Sequence, residues 1–143
     1  MASNPTKISK VFIDSSVLIA SAISPTGSAR DLIMKSFRNE LKVAVSDLVI
    51  EETQRNLANK APKALPALQL FLEVLNPEVS PTRALVLKVS KVVEVKDAPI
   101  AAGAISSKAD YLVSFDRKHL LQHKEEIKTH FKAKVVTPDD LIK

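Results

Sequence analysis

"KDAPIAAGAISSKADYLVSFD", residues 96–116, carries an apolar helix pattern and then an apolar strand pattern, with an aspartate posted at each end that no core requires. Asp97 stands where a helix cap belongs, Pro99 falls in the first turn, where a missing N–H costs nothing, and Ile100 to Ala109 form the helix. "DYLVSFD" then reads as a strand. A helix of about ten residues descends ~15 Å and the strand climbs back ~20 Å, at about 1.5 and 3.3 Å per residue. The two legs nearly cancel, so Asp97 and Asp116 return to one rim of the sheet that the strand joins.

The flanking sequence supplies that sheet. "KVFID", residues 10–14, is a short run of β-formers that halts at Asp14, and "SSVLIASAIS" starts a helix that Ser15 or Ser16 can cap. "ARDLIMKSFRNE" has Leu32, Ile33 and Phe37 at helical spacing, "LKVAVS" is a second strand, and Asp47 can cap a helix through "DLVIEETQRNLANKA". "ALPALQLFLEVLNP" reads as another helix, with Pro66 in its first turn and little polar face, which means deep burial or a partner surface. Residues 80–95 lean to a helix starting at Ser80 and Pro81, although "VLKVSKVVEV" also alternates like a strand. Further on, "RKHLLQHKEEIKTHF" places Leu120, Ile127 and Phe131 on one helical face, and "AKVVTPDDLIK" supplies a last strand with a short terminal helix. Strands alternating with helices give an α/β class: a three-layer α/β/α arrangement around a mostly parallel sheet with right-handed crossovers.

At 143 residues and 45% hydrophobic, the chain fits one domain over residues 1–143, with residues 1–9 as a flexible N-terminus. It has no cysteine, which excludes a disulfide framework, a thiolate metal site and a cysteine nucleophile and fits a cytoplasmic setting. No apolar run approaches the length of a membrane span, and the first ten residues have no signal-like apolar core, so no membrane partner is expected. The net charge of +5 suits a polyanion. With five Phe and one Tyr, stacking of bases on aromatic platforms is not the expected mode of recognition.

Sites in open parallel sheets form just beyond the carboxyl ends of the strands. Asp14 and Asp116 each close a strand there, and Asp97 arrives by the geometry of its helix. A fourth acid comes from the helix after the second strand, where Glu52 lies about 60° from Val49 and Glu51 about 100° from Ile50, so Glu52 is nearer the buried stripe. Singly, each acid has a plainer role: Asp14 ends a strand, Asp97 caps a helix, Glu52 is a solvated helix residue, and Asp116 starts the next helix. Together they repel one another unless a cation compensates. An all-oxygen set implies a hard, partly hydrated ion, Mg²⁺ or Mn²⁺, and the chemistry suited to it is phosphodiester hydrolysis by activated water.

Other candidates carry less. His119 and His123 are spaced like zinc ligands, but "HLLQH" lacks the glutamate of a metalloprotease. "DSSVL" lacks the second acid that an aspartyl-phosphate site needs, because Ser16 stands there. Asp139 and Asp140 start the terminal helix. Arg117 and Lys118, near the rim, can steer a phosphate backbone or simply face solvent.

"VFIDSSVLIASAIS", "VSDLVIEETQRNL" and "KDAPIAAGAISSKADYLVSFDRKHL" resemble the PIN domain, a metal-dependent ribonuclease fold that includes the toxins of toxin–antitoxin pairs. The likeness runs from residue 10 to residue 142 and includes the closing "VVTPDDLI". In it Asp14, Glu52, Asp97 and Asp116 fall at the family's four acidic positions, with the spacing to Leu57 favouring Glu52 over Glu51. Ser16 stands where the family often has Asn, and Ser114 where it has Thr or Ser; both are implied as supporting residues. The resemblance implies endonucleolytic cleavage of single-stranded RNA, a homodimer and, for the toxin branch, an antitoxin protein. The competing expectation is a non-catalytic module that keeps the fold and binds RNA or protein.

Overall fold

Val11, Phe12 and Ile13 of β1 (Lys10–Ile13) are fully buried because β1 is the middle strand of five. The computed structural model describes residues 8–78, 80–116, 120–131 and 133–142. With β2 (Lys42–Ser46), β3 (Asn76–Glu78), β4 (Tyr111–Val113) and β5 (Lys134–Val136), β1 forms an all-parallel sheet in the order β3-β2-β1-β4-β5. Sheets of this kind need both faces covered.

The helices supply that cover: α1 (Ser15–Ile23), α2 (Ser28–Phe37), α3 (Asp47–Lys60), α4 (Leu65–Leu72), α5 (Arg83–Val89), α6 (Ala98–Ser106), α7 (Lys124–Phe131) and α8 (Pro138–Ile142). Right-handed crossovers put α1 to α4 on one face and α5 to α7 on the other. Accordingly α1 packs on α2, α3 and α4, while α6 packs on α5, β1, β2 and β4. The three-layer α/β/α architecture is therefore as the alternation of patterns implied.

The strand order reverses direction at β1. The chain leaves β1 toward β2 and β3, then crosses over to β4 and β5 on the other side, so the crevice expected of such sheets opens at the carboxyl ends of β1 and β4. Their alignment is fixed at the opposite rim, where the Lys10 N–H donates to Asp110 Oδ2 at 2.9 Å and the Asp110 N–H donates to the Lys10 carbonyl at 2.8 Å. With Ile13 paired to Val113, Asp14 emerges beside Ser114. Helix α6 is drawn against the same strand at Gly103, where an added Cβ would sit 2.8 Å from Phe12 Cζ. That close approach requires glycine.

Several local expectations change. Helix α1 is capped by Asp14, whose Oδ1 accepts from the Val17 N–H at 3.2 Å, rather than by Ser15 or Ser16. Likewise Ser46 caps α3 through Val49 N–H, and Asp47 is already inside the helix, where its charge suits the N-terminus. Asn76 and Pro77, read from sequence as the end of a helix, fall in edge strand β3; "NPE" has no strand pattern, and pairing with β2 makes it one, with Pro77 tolerated at an edge. Helix α5 occupies the ambiguous 80–95 segment, capped by Thr82. Helix α4 buries Leu68 and Phe71 but leaves Leu70 53% exposed, so its apolarity is only partly consumed by the core. Leu120 and Ile127 are buried as their spacing implied, while the Phe131 side chain lies outside the described residues.

Candidate active site

Asp14 is held at the mouth of the β1/β4 crevice by donors on both carboxylate oxygens. Oδ1 accepts from Ser16 Oγ at 2.6 Å and from the Val17 N–H, and Oδ2 accepts a short hydrogen bond from the fully buried Ser114 hydroxyl. Each serine also accepts from the segment that follows β4. Ser16 Oγ accepts from the Phe115 N–H at 3.1 Å, and Ser114 Oγ accepts from the Asp116 N–H at 2.9 Å. The residues after β4 are thus tied to Asp14 by two hydroxyls, which fixes where the half-buried Asp116 stands.

Asp97 precedes α6, yet its carboxylate makes no capping hydrogen bond to that helix. Its side chain is buried and lines a cleft of about 370 Å³ together with Asp14, Glu52 and Asp116. On α3, Glu52 faces this cleft, whereas Glu51 is exposed and pairs with Arg55 at 3.1 Å, one turn along. The four acids come from four separate segments. Their meeting place is the switch point of the sheet.

Electrostatics mark the same place. Burial pushes the Asp14 carboxyl above the usual carboxylate range against the lowering effect of its hydrogen bonds, and the charge of Asp116 adds to the rise. Glu52 is also raised, first by burial and then by Asp14 and Glu51, with Arg55 opposing. Such acids are strained by their own ionisation, and a cation among them relieves it.

Among the described residues, no group of three or more His, Cys, Asp or Glu side chains stands close enough together to hold a metal ion. The donor set nonetheless fits a magnesium-like ion, which keeps several waters and binds through one or two carboxylates, since all four acids face a cleft with room for water. Leu48, Ile100 and Leu120 supply apolar wall.

Sequence reasoning missed Lys96, an exposed lysine that lines the cleft one residue before Asp97. Its position next to an acid was the only signal. Arg117, Lys118 and His119 lie outside the described residues. His123 pairs with Glu126 at 2.9 Å on the helical surface, and Asp139 and Asp140 sit in the first turn of α8. A hollow of about 410 Å³ beside β5 gathers only Asp140 among acids, so it offers no comparable chemistry.

A family model for the PIN domain matches residues 10–118. In fold, the chain is similar to PAE2754 from Pyrobaculum aerophilum, at 22% identity and a TM-score of 0.65, covering 94% of this chain and 93% of that one. It is also similar to VapBC2 from Rickettsia felis, whose structure holds a promoter DNA fragment, at 18% identity and a TM-score of 0.66, with 90% and 98% covered. A third likeness, to VapC20 of Mycobacterium tuberculosis, a toxin that cleaves the sarcin-ricin loop, has 17% identity and a TM-score of 0.54 over 76% and 91% of the chains. No curated protein matched the sequence.

Proposed function

The chain belongs to the PIN domain family, and from that premise we propose that it is a metal-dependent endoribonuclease acting on single-stranded RNA, the toxin of a toxin–antitoxin pair. The observation that carries this reading is the lining of one cleft by Asp14, Glu52, Asp97 and Asp116, each delivered by a different segment to the switch point of the sheet. A second copy of the chain and an antitoxin protein are its partners in this reading. The likeness in fold to VapC20, a toxin that cleaves the sarcin-ricin loop, supports the toxin half of this reading.

Asp14, Glu52, Asp97 and Asp116 would hold Mg²⁺ or Mn²⁺. When bound, the ion supplies an activated water and stabilises the leaving oxygen of a phosphodiester. Everything else falls to the chain. Ser16 and Ser114 hold the Asp14 carboxylate in one orientation, so that both oxygens keep a fixed aim. Burial of Asp14 and Asp97 shields those charges from bulk water, which strengthens their pull on a cation. Lys96 at the lip offers a positive charge toward the RNA backbone, and Arg117 and Lys118 are assigned the same role. Exposed Leu70 on α4 and exposed Ile23 on the neighbouring α1 are assigned to the face that meets a second copy.

The test is cleavage of end-labelled single-stranded RNA with Mn²⁺, comparing the parent protein with Asp97→Asn. Cleavage by the parent and its loss in the variant is the expected result. Because the Asp97 side chain does not cap α6, the variant should keep its fold, and equal activity in both proteins would defeat the assignment.

A further inference from the structure

Leu48 lines the acidic cleft and is 37% exposed, although it is a large apolar residue near the start of a helix that packs into the core. Helix α3 meets that core through Val49, Thr53 and Leu57, a stripe at helical spacing in which every residue is buried. Leu48 is not part of the stripe or of the core cluster. It stands one turn before Glu52 on the neighbouring stripe, and both line the cleft. The stripe beyond holds Glu51 and Arg55, paired in solvent. Asp97 and Ile100, at the start of α6, line the same space, so each of two helices brings one acid and one apolar side chain to it.

The carboxylates, through the ion they hold, account for a phosphate and leave the apolar walls without a part in the chemistry. A phosphate of RNA brings a ribose and a base with it. At about 370 Å³ the cleft is at the small end of the range for sites that enclose a whole small molecule, which gives room for one nucleotide and not for a base pair. We propose that Leu48, together with Ile100, receives the base of the nucleotide next to the scissile phosphate, so that Leu48 is a substrate-binding residue and the cleft admits a base only when it is unpaired. A base in a duplex must first be unpaired and unstacked, at a cost in free energy that a single strand does not bear. Neither side chain carries a hydrogen-bonding group, so the contact does not tell one base from another. This rests on the nuclease reading above and adds a source of substrate preference that the carboxylates cannot supply.

The experiment is steady-state cleavage of a single-stranded RNA hexamer with Mn²⁺, alongside a set of hexamers that each lack the base at one position. Leu48→Ala should lower kcat/KM on the intact hexamer about tenfold, through KM and with kcat nearly unchanged. Leu48→Asn, similar in size but polar, should lose as much, and Leu48→Met, which conserves apolar volume, should stay within about twofold of the parent. At one position beside the cut, removing the base should cost the parent about tenfold and cost Leu48→Ala nothing further, because the contact is already gone. A merely structural role for Leu48 would give losses that add wherever the base is removed. Additive losses at every position, or equal cleavage of the intact hexamer by the parent and by the Ala and Asn variants, would overturn the base contact while leaving the nuclease reading intact. Failure of the parent protein to cut any of the strands would overturn both.

Discussion

Ser114 is hydrogen-bonded on two sides: its hydroxyl donates to Asp14 Oδ2, and its oxygen accepts from the Asp116 N–H at 2.9 Å. One buried hydroxyl therefore sets the relation between the acid that ends β1 and the acid that follows β4. Removing it leaves a buried carboxylate oxygen short of a donor, at a cost of about 1–3 kcal/mol. Ser114→Ala should lower thermal stability accordingly and reduce cleavage by about 10–100-fold, the range for partners that orient metal ligands. Thermal melts and single-turnover RNA cleavage check the two halves separately.

Glu51 and Glu52 are adjacent in sequence and opposite in use, because only Glu52 faces the cleft. Glu52→Gln should therefore cost about 100-fold or more in cleavage, above the effect of partners that merely orient a ligand. Glu51→Gln removes an exposed pair with Arg55 and should leave activity and stability close to the parent's. Comparable losses in both variants would reassign the fourth acid.

Asp14 and Glu52 both have raised folded-state pKa values, so without metal the folded chain holds these protons more tightly than the unfolded chain. Their contribution to stability is thus fully present below the unfolded values of 3.8 and 4.5 and is lost as pH rises through the folded values. Added Mn²⁺ should reverse the trend, raising Tm at neutral pH by the equivalent of about 2.7 kcal/mol at a hundredfold excess over Kd. That increment should fade on acidification earlier than it would for ordinary carboxylates, because protons displace the metal at higher pH. Melting curves across pH with and without Mn²⁺ read both effects.

Gly103 brings α6 against the buried Phe12 ring, and a Cβ there would lie 2.8 Å from Cζ. Alanine favours a helix by about 1 kcal/mol over glycine, yet overpacking a fully buried ring costs about 1–3 kcal/mol. Gly103→Ala should be destabilising on balance and Gly103→Val more so, since its branches meet the same ring. Denaturant midpoints with an unchanged slope would verify that the folded state alone has been strained.

Much of this arrangement was legible in the residues. The helix-then-strand pattern of 96–116 gave the return path, and the halts at Asp14 and Asp116 marked the rim. Strand β3 was not legible, because "NPE" has no periodicity of its own and is a strand only through pairing with β2. The caps of α1 and α3 each shifted by one or two residues, since several adjacent side chains can accept from the same turn and only the path of the entering strand selects among them.

Hydrophobic periodicity, proline placement and the spacing of acids determined the α/β alternation and the set of candidate ligands, because those are local properties of the backbone. Which carboxylates turn inward depended on the completed sheet. Asp97 makes no cap to its own helix and lines the cleft instead, and Asp14 rather than Ser15 or Ser16 caps α1, because the packing of the helices and β4 around β1 decides which side of a residue is left open.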